Sequence, residues 1–300
     1  MAGQTFNTKT LMHFFDNECK TCPFNALESV LSNKLKRQII NYAEENQEIS
    51  ADICINLLRQ DLINETPHNE FIAQDVFEYA NESYEAYIYK YKKIPTRNNW
   101  HDFFNGMIWL QFPKTKQYFN QQHVTEIKSS QTNALNGQNR SNSKNRSAIR
   151  DRLTHFDECG LVLFTDQTWL ENALDNHDWQ QIFVKNKALW HSHIIPVVLG
   201  HALWEMLLNP FIGLTAKATV VSVSSETLTT LIQDNQQVGD KQRLLNVDEM
   251  LLTHLIDKKL IFKRKPWKPL PLLGIPGWSK NQQNEAFYAN TDYFMPKSCK

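Results

Sequence analysis

Apolar positions in the first hundred residues recur at three- and four-residue steps, the period of a helix with one face buried. Pro23 opens one such run, Phe24 to Asn46, with Leu27, Val30, Leu31, Leu35 and Ile39 on a single stripe. Ser50 is placed to cap a second helix, Ser50 to Ile63, which carries Ile53, Leu57 and Leu58 on one side. A third run, Glu70 to Lys92, holds Phe71, Val76, Phe77, Tyr84, Tyr87 and Tyr91 before Ile94-Pro95 breaks it. Asn98 and Asn99 are cap candidates for a helix from Trp100 to about Phe112, and a polar helix, Thr115 to Ile127, follows.

Beyond Ser129 the periodicity stops. Residues 129–147 are nearly all Asn, Ser, Gln and basic side chains, which cannot bury enough surface to offset ordering, so a mobile loop is expected there. A helix from Ala148 to Glu158 should end on Gly160 as its C′ residue. Leu161 to Phe164 and Ala218 to Val223 read as short strands, with Thr165 or Asp166 capping the helix after the first. Further helices are predicted over Asp178 to Asn186, Ile194 to Leu208, Ser225 to Gln233 and Val247 to Lys259. Five of the eleven prolines fall after Lys263, so the tail 264–300 is expected to run extended over the body. The prediction is a mainly α, α+β chain with one or two short strand pairs, folded as a single compact globule. Residues 1–70 would form an N-terminal helical segment and 71–300 the remaining domain.

Composition narrows the class. Three hundred residues can bury a substantial core, and 32 Lys+Arg against 32 Asp+Glu excludes a uniformly basic nucleic-acid coat. The N-terminus has no apolar run of signal-peptide length, and the apolar stretch Ile194 to Val223 is interrupted by Pro196, His201, Glu205, Asn209, Pro210 and Lys217. No membrane span and a cytoplasmic location are expected. Five cysteines do not make a disulfide framework, and Cys19-Lys-Thr-Cys22 has no second ligand pair, so two unlinked thiols are expected. With nine glycines and no GxGxxG, GxxxxGK[ST] or GxSxG, dinucleotide, P-loop and α/β-hydrolase chemistry has no sequence support.

Polar residues set among aromatics supply the candidate chemistry. His101 and Asn105 share one helix face in a stretch with five aromatics in thirteen residues, and Asp102 points about 100° away. They are either a ligand or catalytic set, or helix caps bridging to nearby backbone. His201 and Glu205, four apart, are the titratable groups of IIPVVLGHALWEMLL; the pair suits a metal or an orienter–base role, or an internal hydrogen bond that fixes register. On the helix after the polar loop, Arg146, Arg150 and Thr154 line up toward Asp157 and Glu158, either as an anion site or as a solvated ion-paired face. Lys258 to Lys268 holds six cations and no acid, with Phe262 and Trp267 between them, in the manner of a nucleic-acid groove or of a solvated surface.

Four separated stretches occur in an order that resembles an uncharacterised bacterial family, domain of unknown function 3025. They are PTRNNWHDFFNGMIWLQFPKTK (95–116), RDRLTHFDECG (150–160), GHALWEMLLNPFIGLTAKA (200–218) and PLPLLGIPGWSKNQQNEAFYANTDYF (269–294), and the likeness spans roughly residues 75 to 296. The resemblance brings no catalytic residue with it; its motifs hold His101, Asp102, Asn105, Arg150, Asp157, Glu158, His201 and Glu205.

The leading reading leans toward an enzyme: a divalent-metal-dependent hydrolase acting on a phosphate- or carboxylate-bearing substrate. His101, Asp102, Asn105, His201 and Glu205 would carry the chemistry, and His101, Asp157, Glu158, His201 and Glu205 the metal. Arg97, Lys116, Arg146, Arg150 and Lys217 would hold the anion. A narrower version is an HD-type phosphohydrolase, using His68 with His101-Asp102. The metal reading requires His101 and His201 to lie within about 10 Å, because ligands converge at about 2 Å. The alternatives are a non-catalytic nucleic-acid or polyanion binder, and a structural or partner-docking protein.

Overall fold

A computed structural model describes residues 5–18, 23, 33–46, 48–62, 69–78, 82–135, 147–233, 240–280 and 282–298. Cys19, Cys22, His68 and Arg146, and most of the polar loop, lie outside these residues.

The N-terminal helices are α1 (Thr8–Asp16), α2 (Asn33–Asn46) and α3 (Ala51–Leu62). Asn7 and Thr10 form a capping box at α1, which buries Leu11, Phe14 and Phe15. The run predicted as one helix from Glu70 is divided: β1 (Glu70–Ala73), α4 (Gln74–Glu78) and α5 (Tyr84–Tyr91), followed by β2 (Lys93–Thr96). β1 and β2 pair in parallel, Phe71 opposite Ile94, and Asn56 of α3 clamps both backbone groups of Phe71. That non-local pairing overrides the helical period of the sequence.

Next come α6 (Trp100–Gln111) and α7 (Pro113–Leu135). The side chain of Asn99 accepts from Asp102 N, and Pro113 starts α7 where its missing N–H costs nothing. The supposed loop from 129 is thus helical as far as Leu135, and Ser147 caps α8 (Ala148–Cys159). β3 (Gly160–Thr165), α9 (Leu170–Asp175), a π-helical turn (Gln180–Lys185), β4 (Ile194–Val198) and α10 (His201–Leu207) follow. Gly160 is extended, at φ −71°, and opens β3 at once instead of forming a left-handed cap. Trp169, rather than Thr165 or Asp166, precedes α9. The predicted helix Ile194 to Leu208 is a strand and then a helix, the break falling at Leu199-Gly200. A continuous apolar run fits either element, and pairing with the buried β3 decides for the strand.

The chain continues as β5 (Thr215–Ser222), α11 (Ser225–Gln233), α12 (Asp240–Asp257), β6 (Lys268–Pro271) and α13 (Glu285–Tyr288). The larger sheet runs β4-β3-β5-β6, parallel between β3 and β5 and antiparallel at both outer pairs. Every residue of β3 is buried. The Pro-rich tail is not an extended strap: β6 joins the sheet, and Leu272, Ile275, Tyr288, Tyr293 and Phe294 enter the core. Tyr293 fastens it by donating to Leu214 O and accepting from Leu273 N. The result is one mainly helical globule with a minor β component. Among the described residues no helix is long and apolar enough to cross a membrane.

Candidate metal centre

Three elements bring the site together. α6 starts at Trp100 because Asn99 caps it, so His101 stands in the first turn. On α6 His101 and Phe104 are three apart, and on α10 His201 and Trp204 repeat the spacing. The Phe104 and Trp204 rings stack 6.5 Å apart, and one turn away the two imidazoles meet edge to face at 4.6 Å. α8 ends beside them because two glycines allow close backbone approach. Gly200 N donates to Gly160 O, and a Cβ on Gly200 would lie 2.5 Å from both Glu158 O and Gly160 N.

The resulting geometry is a triangle of possible ligands. His101 Nε2 and His201 Nε2 are 3.1 Å apart. Glu158 Oε2 lies 3.4 Å from His201 Nε2 and 3.9 Å from His101 Nε2. Tetrahedral ligands bonded at about 2.0–2.1 Å are separated by about 3.3 Å, so the three atoms already stand near the edge length of such a shell. Each imidazole turns its other nitrogen outward to a carboxylate. His101 Nδ1 donates to Glu205 Oε2 at 2.9 Å, and His201 Nδ1 faces Asp157 Oδ2 at 3.8 Å. The Glu205 carboxylate fixes the His101 tautomer that presents the Nε2 lone pair inward, whereas Asp157 stands too far from His201 Nδ1 to bond it directly.

The electrostatics agree. Burial drives the His201 pKa down to about 3, so the ring is neutral and able to act as a ligand. Burial also raises the Glu158 carboxyl above its ordinary value. Burial alone would raise Asp157 too, but the Lys116 ammonium, 2.5 Å from Oδ1, and the neighbouring His201 hold it below the usual range. Lys116 also donates to Asn105 Oδ1 at 2.9 Å and sits 5.3 Å over the Trp109 ring, while Asn105 donates to the Tyr84 hydroxyl.

These groups line a cavity of about 400 Å³. Its wall carries four carboxylates (Glu85, Asp102, Asp157, Glu158) and two permanent cations (Arg97, Lys116), an excess of two negative charges before any histidine titrates. That balance suits a divalent cation better than a free anion. The two cations differ. Lys116 is buried and matched by Asp157, whereas the Arg97 side chain is 59% exposed and fixed by Asp102, which accepts from its Nε, Nη2 and backbone N.

The sequence-predicted residues therefore divide. His101, Asp102, Asn105, Asp157, Glu158, His201, Arg97 and Lys116 line the cavity, and Glu205 stands behind His101. The expected His201–Glu205 partnership is not formed; α6 packs against α10, and Glu205 Oε2 accepts from His101 Nδ1 instead. Among the described lining residues Arg150 and Lys217 do not occur: Arg150 lies in the first turn of α8, and Lys217 pairs on β5 beside Gly160. Asp102 is engaged by Arg97, which is not the arrangement an HD-type site needs. Sequence reasoning missed Tyr84, Asn120 and His123. The spacing Lys116, Asn120, His123, four and then three residues on one polar helix, was the available signal.

A family model, Protein of unknown function (DUF3025), matches residues 69–298. The chain belongs to this family, and every residue of the centre falls inside the matched region. No curated protein and no solved structure matches the chain.

Proposed function

We propose that this member of the DUF3025 family binds one divalent metal ion through His101, His201 and Glu158 and uses it for hydrolysis of a phosphate- or carboxylate-bearing substrate. The observation that carries the reading is the convergence of His101 Nε2, His201 Nε2 and Glu158 Oε2 within 4.8 Å of one another, each histidine with a carboxylate at its back. Two histidines and one carboxylate leave further coordination positions open toward the cavity, as a catalytic site requires and a structural four-ligand site does not. A metal there would act as a Lewis acid and lower the pKa of a bound water toward about 7, giving a nucleophile near neutral pH.

The protein's own residues would supply orientation. Glu205 holds the His101 ring, Asp157 faces His201 at 3.8 Å, and Lys116 balances Asp157 so that the negative charge does not accumulate. Arg97, presented by Asp102 at the cavity wall, is the cation a substrate anion can reach. Elemental analysis of protein purified without chelator tests the reading: about one transition metal per chain is expected. Metal-free protein that also takes up no added zinc, manganese or iron would refute it.

A further inference from the structure

The basic run 258–268 is not part of the metal centre, and the structure changes its meaning. Trp267, expected to offer a stacking face, is turned inward: its ring stacks 4.0 Å from Phe156 and its Nε1 donates to Arg152 O. Lys268 pairs with Asp175. What remains outside is a tight turn. α12 ends at Asp257, Lys259 adopts the left-handed conformation at φ 49°, and a single 3₁₀ turn, Leu260–Phe262, leads away. Leu260 and Ile261 anchor it in the core, and Arg152 Nε donates to Ile261 O.

On this anchored turn Lys258, Lys259, Lys263, Arg264 and Lys265 are all exposed, and none forms an ion pair among the described residues. Two large apolar side chains stand out with them, Phe262 at 55% and Ile256 at 48% exposure. Backbone bonds Lys259 N to Ile256 O and Phe262 N to Lys259 O link the segments that carry both. Asp257 is the acid within the turn.

We infer that this turn docks the protein on an anionic membrane surface, with Phe262 and Ile256 entering the headgroup region and the five cations facing acidic lipid. The pairing of charge with apolar side chains decides the partner. Anionic bilayers attract clustered Lys and Arg from solution and accept aromatic and aliphatic side chains at the interface. A single-stranded nucleic acid would instead want successive aromatic faces, and with Trp267 turned inward the turn offers Phe262 alone, next to an aliphatic Ile256 that cannot stack on a base. The cations alone would leave the two exposed apolar groups without a role.

The experiment is co-sedimentation of the full chain with vesicles of phosphatidylcholine containing one third phosphatidylglycerol, beside vesicles of phosphatidylcholine alone. Binding is expected on the acidic vesicles only, and it should be lost when salt rises from about 0.1 M to about 0.5 M. The triple variant Lys263→Gln/Arg264→Gln/Lys265→Gln should weaken partitioning about 100-fold, on the scale of acidic-lipid attraction per cation. Phe262→Ser should weaken it about tenfold while leaving the salt dependence intact. All substitutions lie on the surface, and unchanged melting curves confirm that the variants fold. Absence of binding to acidic vesicles at low salt overturns the inference. So does binding that Phe262→Ser leaves unchanged, or tighter binding to a single-stranded oligonucleotide than to the vesicles. None of these results depends on the metal centre.

Discussion

His101 and His201 face each other through their Nε2 atoms at 3.1 Å, and each turns its Nδ1 toward a carboxylate. When both protons sit on the outer nitrogens, two lone pairs meet at that distance, with a carboxylate oxygen 3.4 Å from one of them. Such a cluster of acceptors calls for a cation or a shared proton at its centre. Burial, which lowers the His201 pKa, disfavours a second proton on that ring.

The outer carboxylates should matter through the rings they face. Glu205→Gln and Asp157→Asn are each expected to weaken zinc affinity about 10- to 100-fold without abolishing it. Titration of the two variants against a chromophoric chelator measures this. Wild-type affinity in both would mean that neither carboxylate orients a ligand.

Lys116→Met leaves the Asp157 carboxylate without its ammonium in a mostly buried place. A loss of about 3 kcal/mol is expected, because breaking one side of a buried pair strands the other charge. The double variant Lys116→Met/Asp157→Asn should recover a large part of that loss. Urea unfolding of the three proteins gives the comparison, and a single variant as stable as wild type contradicts the pairing.

Gly200→Ala tests how the site is positioned. Its new methyl would press on Glu158 O and Gly160 N. Overpacking of about 1–3 kcal/mol is expected, with a fall in metal affinity, because α8 and α10 must separate at the point where Glu158 and His201 meet. Unchanged stability and unchanged metal affinity would show that the contact gives way freely.

Away from the centre, His254 Nε2 bonds Thr219 Oγ1 between α12 and β5, and burial lowers its pKa from 6.5 to about 4. A folded-state pKa below the unfolded value means that the unfolded chain binds the extra proton first. The contribution is therefore full above pH 6.5 and fades as pH falls toward 4. His201 titrates in the same direction, so the comparison must be between wild type and His254→Gln. The variant should lose less stability between neutral pH and pH 5, read from denaturant midpoints, and identical slopes would exclude His254 as a source.

Local signals carried much of this fold. Asn99 marks the start of α6, the β-branched run 218–223 marks β5, and the His-bearing motifs contain nearly all of the centre. The pairing between distant elements was not legible. Ile194 to Val198 is a strand because β3 lies beside it, and Glu205 meets His101 because α6, distant in sequence, packs against α10. The tail Lys268 to Phe294 held proline where burial was the outcome, since its aromatics find Phe183 and Leu214 only in the folded chain. Tyr84 was legible only as one aromatic of the run from Glu70; it lines the cavity and accepts from Asn105, twenty-one residues on.

The proposed function depends on one metal ion held by His101, His201 and Glu158. Calorimetric titration of chelator-treated protein with zinc tests it most directly, run beside His101→Ala and His201→Ala. One site per chain is expected in the wild type, with a thermal stabilisation near 2.7 kcal/mol at about one hundred times the dissociation constant, and neither effect in the two variants. No saturable uptake by the wild type, or equal uptake by all three proteins, would contradict it.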